Sequence, residues 1–296
     1  MPEFEPSKPL PEDPGSIVKR IFLTIIKLLS YGLSLVIVSG LFSYLMTWFV
    51  PDLNSEDLQQ GDISDWRSML PIYLGMLVGT YLVTLFFWKI VEGQAIVVFG
   101  LSINGAGWNL IKGGCVAIGI LGLSFLFILV VGFIRIVGYE FELIELLGFL
   151  LLFFIAALVE ELIFRAYLFS LILKEFSLNA ALFISALLFA ILHIGNAHFT
   201  WIAFLNIFLG GYLLAFIFYL RRELYTPLGL HWIWNFFQGN ILGFGVSGFT
   251  VSSLLVIEKQ GDDWLTGGAF GLEGSVLTTA VLLGFCIFLT VYKPGR

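Results

Sequence analysis

The sequence predicts an all-α, polytopic bundle of about eight transmembrane helices with both termini in the cytoplasm. Three observations carry this. Hydrophobic residues make up 59% of the 296 positions and charged residues 12%, with a mean hydropathy of +0.98. That balance belongs to an integral membrane protein rather than to a soluble domain with a large core. Apolar runs recur along the whole chain, several of them near the 20 or so residues that suffice to cross a bilayer. Basic residues gather on alternate connections, as the positive-inside rule requires.

The runs place spans at roughly 24–50, 70–90, 112–134, 146–173, 178–194, 199–220, 226–245 and 275–292. Residues 1–18 are rich in proline and acid and are expected to form a disordered cytoplasmic tail. Lys19 and Arg20 precede the first span as in a signal peptide, but its apolar stretch is too long for one, so a retained signal anchor is expected. Eleven basic residues fall on the tail and the connections near 89–112, 174–177, 221–223 and 293–296, and three (Arg67, Arg135 and Lys259) on the other set. The fifteenth, Arg165, lies inside a span. Four regions follow: the tail, a three-span region over 19–145, a core over 146–245, and an extracytoplasmic loop with the last span over 246–296. Cys115 and Cys286 lie in apolar stretches and read as small buried hydrophobes, with no disulfide framework or thiolate metal site. Membrane lipids are the expected partners and nucleic acid is not. Oligomeric state is not legible.

The fourth span holds Val-Glu-Glu-Leu-Ile-Phe-Arg at 159–165. Three charges at mid-membrane cost about 8–10 kcal/mol, which about twenty apolar residues only just offset. Glu161 and Arg165 stand at i, i+4 with the acid on the N-terminal side, the favourable order for a pair on one helix face. Glu160 points about 100° away and has no local partner, so this intramembrane carboxylate is the first candidate for chemistry. His193 ends Phe189-Ala-Ile-Leu-His193 in span five. His231 and Asn235, four apart in span seven, share a face. A carboxylate, two imidazoles and an amide can polarise water and then stabilise a tetrahedral oxyanion. Glu160, His193 and His231 also form a possible zinc ligand set, although the H-E-x-x-H signature is absent. Taken singly, each histidine can also be read as a hydrogen-bonding contact between helices. Asn196, His198 and Asn206 read as structural or interfacial groups, and Trp232 and Trp234 as packing.

Glu160-Glu161-x-x-x-Arg165, Phe189-x-x-x-His193 and His231-x-x-x-Asn235, in this order, resemble the motifs of the CPBP family. That family comprises type II CAAX prenyl endopeptidases and bacteriocin-processing or self-immunity relatives with the Abi domain. The resemblance covers roughly residues 146–245, and the Gly-x-x-Gly-x-Glu-Gly-Ser segment ending at Ser275 is also similar to bacterial members. The resemblance implies an intramembrane glutamic or metal-assisted endopeptidase of a prokaryotic plasma membrane, acting on a membrane-associated or prenylated peptide. It implies Glu160 as general base with His193 beside it, His231 and Asn235 on the oxyanion side, and Glu161 and Arg165 in support. The competing classes are a non-catalytic immunity or scaffold protein using the same pocket, and a proton-coupled transporter. Against the transporter stand the absence of an internal repeat and the few helix breaks within the spans. One tension remains in the depth count. At about 1.5 Å per residue, Glu160 and His231 fall nearer the inner face, whereas His193 lies about 22 Å along span five, nearer the outer face. A short, tilted or late-starting fifth span would reconcile them.

Overall fold

The structure, a computed structural model, describes residues 13–50, 63, 65–94, 100, 101 and 104–291. Its elements run α1 (Pro14–Thr47), α2 (Trp66–Phe86), α3 (Ala106–Val130), β1 (Ile134–Tyr139), α4 (Leu143–Glu161), α5 (Ser170–Glu175), α6 (Leu178–Leu192), α7 (Trp201–Arg221), α8 (Tyr225–Phe236), β2 (Leu255–Lys259), α9 (Asp263–Thr266) and α10 (Val276–Val291). A π-helical segment, Leu162–Phe169, joins α4 to α5 into one continuous helix, and π-helical turns extend α2 to Val91 and α8 to Ile241. The chain is a helical membrane bundle. Each of the eight expected spans lies on a helix, and five helices are long and apolar enough to cross a membrane. Those five are Pro14–Thr47, Trp66–Val91, Ala106–Val130, Leu143–Glu175 and Trp201–Arg221.

Two expectations need correction. The first helix starts at Pro14, inside the segment read as a disordered tail. Asp13 caps it by accepting from the Ser16 backbone N–H, and Pro14 occupies the first turn, where its missing N–H costs nothing. Residues 1–12 of that tail lie outside the described residues, as does most of the acidic connection 51–69. The second correction is a two-stranded antiparallel sheet, β1 with β2, in connections read as loops. Ile134 pairs with Lys259 and Tyr139 with Leu255, across a register irregularity between Ile136 and Gly138. The run is short and its partner lies far along the chain, which hides the pairing from local periodicity.

Ion pairs join α1, the end of α2 and α5. Glu92 is buried and takes Lys27 of α1 at 2.8 Å and Lys174 of α5 at 3.1 Å. Arg20 reaches Glu175 at 3.2 Å. Three helices are thereby tied at one level. Beneath them Tyr31, Phe87, Trp88 and Tyr167 pack ring on ring, with Tyr31 stacked on Tyr167 at 3.9 Å between centroids.

The helices that carry the polar residues approach closely because small residues line their contacts, as van der Waals packing between apolar helices in lipid requires. Gly113 of α3 faces Gly229 of α8. A β-carbon at Gly113 would stand 2.1 Å from the Thr226 carbonyl oxygen, and one at Gly229 would stand 2.2 Å from the Leu110 carbonyl oxygen. The start of α8 is held by Glu223, whose carboxylate accepts from the backbone N–H groups of Tyr225 and Thr226. A negative charge there also suits the helix dipole.

Gly113→Ala is therefore expected to push α3 away from α8, at the roughly 1–3 kcal/mol that overpacking costs. Gly119→Ala on the same helix meets nothing within 4 Å and should be close to neutral. Thermal unfolding of the two variants in detergent checks this; equal midpoints would show that the contact does not set the helix spacing.

Candidate active site

Glu160 and Glu161 end α4, and the π-helical segment begins immediately after them. The wider turn frees backbone groups, and the Ser170 hydroxyl donates to the Arg165 carbonyl at 3.1 Å. Such segments are frequent at functional sites. Glu161 and Arg165 are almost wholly excluded from solvent and approach to 2.9 Å between Oε1 and a guanidinium nitrogen. The same Oε1 accepts from His231 Nδ1 at 2.9 Å. An ionised carboxylate only accepts, so the Nδ1 of His231 carries a proton. The Arg165 guanidinium also lies over the Phe189 ring, 4.6 Å from its centroid, and approaches the Gly211 carbonyl at 3.4 Å.

Glu160 takes a different direction. Its Oε2 is buried without a hydrogen-bond partner, and His231 Nε2 stands 3.6 Å from it. His193 caps the end of α6 and donates from Nδ1 to the Phe189 carbonyl at 2.8 Å. A carbonyl cannot donate, so Nδ1 holds the proton and a neutral His193 keeps the Nε2 lone pair. The Phe189 ring lies between the two histidines, 4.8 Å from His193 and 5.9 Å from His231. Glu160, His193, His231 and Asn235 line one cavity of about 390 Å³. Glu161 and Arg165 lie behind its wall.

The depth conflict disappears once the helix ends are known. Glu160 lies fifteen residues before Glu175, and His193 lies fifteen after Leu178. Counted from their shared turn at about 1.5 Å per residue, the two are level. The conflict came from counting the two residues from opposite faces; the continuous helix runs on to Glu175, and from that end Glu160 is as deep as His193.

Several cavity residues were not assigned roles from sequence. Tyr73 of α2 lines the wall, near enough to Glu160 to feel its charge. The connection between α8 and α10 folds over the cavity as a cap and brings in Ser247 and Glu273. Glu273 Oε2 accepts from the Ser247 backbone N–H at 2.9 Å and from its hydroxyl at 2.8 Å. Asn206 of α7 fixes this turn. Its amide donates to the Glu273 and Ser275 carbonyls at 2.7 and 2.8 Å and accepts from Thr279 at 2.7 Å. Asn196 holds the other side by donating to the Ser247 carbonyl at 2.9 Å. Ser247 itself has φ +50°, a left-handed conformation that costs energy outside glycine and is retained only where its surroundings fix it. Two signals in the sequence pointed there: an acid inside an otherwise glycine-rich, apolar stretch, and the Gly-x-x-Gly-x-Glu-Gly-Ser resemblance that contains it.

Burial pushes the Glu273 carboxyl up, opposed by Ser247 and by His193. Among the described residues, no three His, Cys, Asp or Glu side chains are grouped so as to hold a metal ion together. Each histidine spends Nδ1 on a protein oxygen, which leaves Nε2 as the atom a metal would take; it is the placement of Glu160, His193 and His231, not grouped closely enough to share an ion, that does not fit the zinc set.

A family model described as type II CAAX prenyl endopeptidase Rce1-like matches residues 142–237. Over those residues the chain is similar to an Rce1-like domain. The match agrees with the CPBP resemblance, spans about a third of the chain, and includes all seven motif residues from Glu160 to Asn235. The cap with Glu273 lies beyond it. No curated protein and no solved structure matches the chain.

Two outcomes are expected. Glu161→Gln leaves Arg165 without its charged partner and should cost roughly 3–5 kcal/mol, whereas Glu160→Gln, which breaks no hydrogen bond, should unfold near the native temperature. Equal losses in thermal midpoint would contradict the division of labour. For Glu273, the folded carboxyl binds its proton more tightly than the unfolded one, which titrates near about 4.3. That contribution to stability is complete below the unfolded value and is lost as pH rises through the folded one. Glu273→Gln keeps an acceptor for Ser247, so its thermal midpoint relative to the native chain should be higher at pH 8 than at pH 4. A difference that does not change with pH would refute the burial effect.

Proposed function

We propose that the chain is an intramembrane endopeptidase, hydrolysing a peptide bond of a membrane-associated or prenylated substrate with water activated by Glu160 and His193. The observation that carries this is the convergence of Glu160, His193, His231 and Asn235 on one cavity while Glu160 Oε2 stays without a hydrogen bond. The Glu160 side chain keeps about a third of its surface accessible, and its other carboxylate oxygen is where a nucleophilic water in this cavity can be held and deprotonated.

In this reading water sits between Glu160 and His193. Glu160 takes its proton as the oxygen attacks the scissile carbonyl carbon. The carbonyl π electrons move to oxygen, and the oxyanion accepts from the Asn235 amide and from His231 Nε2–H. His231 can donate from Nε2 only as an imidazolium, because Nδ1–H already faces Glu161. The Glu161 carboxylate stabilises that cation and fixes the ring, while Arg165 holds Glu161 in place. On collapse of the intermediate the C–N bond breaks, Glu160 returns its proton to the leaving amine, and an acid and an amine remain. Preorganised donors of this kind are worth about 10²–10³ in turnover each. No step is routed through a metal.

The test is reconstitution in liposomes with a library of lipidated peptides. The native chain should cut a subset of them, and Glu160→Ala should lose at least about 10³-fold in turnover, by analogy with other sites in which one group of a coupled catalytic unit is removed. Asn235→Ala should lose about 10²-fold. Activity should survive exhaustive chelation. Loss on chelation, restored by zinc, would overturn the metal-free mechanism. Peptide binding without cleavage in the native chain would instead support a non-catalytic binder.

A further inference from the structure

We propose that Glu273 is the counter-ion for a positive charge on the substrate, so that the cavity takes a peptide bearing a lysine, an arginine or a free amine near the scissile bond rather than one ending in a free carboxylate. This rests on the endopeptidase reading and adds a substrate class to it.

The argument begins with charge. Two carboxylates, Glu160 and Glu273, line the cavity, and no lysine or arginine does so among the described residues. Arg165, the basic residue nearest Glu160 in sequence, lies behind the wall and is occupied by Glu161 at 2.9 Å. Both Ser247 donors converge on Glu273 Oε2, while Oε1 makes no hydrogen bond among the described residues and belongs to a side chain on the cavity wall. If His193 is to act as a base it must be neutral, and His231 spends Nδ1 on Glu161 and turns Nε2 towards Glu160, so among the described residues neither histidine makes a hydrogen-bonded ion pair with Glu273. A carboxylate enclosed by apolar surroundings is poorly tolerated unless something pairs with it. An ammonium or guanidinium on the bound peptide does so, and adds a charge-assisted hydrogen bond to Oε1. A terminal carboxylate in the same space would meet two like charges instead, which disfavours binding.

The turn is also built to aim this side chain. Asn206 holds the Glu273 and Ser275 carbonyls from α7. Gly271, at φ +100°, lies so close to the Gly245 carbonyl oxygen that a β-carbon there would stand 1.9 Å from it. Side-chain packing does not require a carboxylate at this place, since a glutamine would make the same bonds to Ser247. The negative charge is what remains to be explained, and a cationic substrate group explains it.

The experiment uses farnesyl-cysteine peptides in which one lysine, or one norleucine, is moved through the residues after the cysteine, each made with a free or an amidated C-terminus. Cleavage by the reconstituted full chain and affinity for its Glu160→Gln variant are both measured. The expected result is at least a tenfold preference for lysine over norleucine at one position, with the amide used at least as well as the free acid. Glu273→Gln should bring the lysine to norleucine ratio close to one, and Glu273→Lys should favour a glutamate at that position. A preference that survives Glu273→Gln, no position with a preference for lysine, or a tenfold preference for the free acid would overturn the proposal. If a Glu273 variant fails to fold, the lysine scan and the acid and amide pair on the unaltered residue still decide it. Lysine-selective affinity without any cleavage would sink the protease reading and leave the counter-ion in place, whereas cleavage without charge selectivity would do the reverse.

Discussion

The rest of the site depends on the contact among Glu161, Arg165 and His231. One carboxylate oxygen lies 2.9 Å from both the guanidinium and the His231 ring nitrogen, and all three side chains are buried. Charges in a low-dielectric interior are retained only when paired and hydrogen-bonded, so the orientation of His231 follows from the placement of Glu161. With Nδ1 fixed, Nε2 has one direction available, and that direction is the cavity where Glu160 stands. The one-residue offset between the glutamates therefore becomes a division of function. One acid is consumed in holding the helices together and the other is left free.

That contact couples α4 to α8, and the fold has to bring α8 close enough for it to form. The apposed Gly113 and Gly229 let the backbones of α3 and α8 meet where side chains would otherwise separate them. On the opposite side, Arg165 reaches past Phe189 towards the α7 backbone at Gly211. Phe189 thus serves three elements: its ring meets Arg165 and both histidines, and its carbonyl sets the His193 tautomer. This gives the Phe-x-x-x-His spacing a physical meaning, since the carbonyl of residue i and the side chain of residue i+4 meet at the end of a helix where that carbonyl has no partner within the helix.

The membrane character and the polar residues of α4, α6 and α8 were legible because they depend on local pattern. An apolar run betrays a span, and a charge within it costs enough to demand an explanation. Helix ends were less legible. Span four was ended at 173 rather than Glu175 and Glu160 was counted from the opposite face to His193, which was enough to create an apparent difference in depth between the two. The β1–β2 pairing and the role of Glu273 were not legible at all. Both are long-range: β1 meets its partner across the whole α4–α8 core, and Glu273 reaches the cavity only because Asn206, far away in sequence, anchors its turn. Asn206 itself was read as interfacial, since a single amide near a helix end gives no sign of which loop it will hold.

The cap changes how the motif set should be understood. The match to the Rce1-like domain ends at residue 237, before the cap begins, so the groups assigned to water activation and oxyanion stabilisation all lie within the domain. The cap is attached by polar side chains at four points, Asn196, Asn206, Gln238 and Asn240, each donating to a backbone carbonyl. Gln238 and Asn240 lie on the turn that continues α8, the helix that carries His231. A movement of the cap would therefore be transmitted to the far end of that helix. The chemistry proposed for the helical core and the selectivity proposed for the cap meet at a cavity whose walls come from both. Besides the hydrogen bonds, the two parts share an apolar cluster in which Phe244 and Leu272 of the cap pack with Phe125, Leu213 and Trp234 of the helices, so an exchanged cap must keep that apolar contact as well as the four polar attachments.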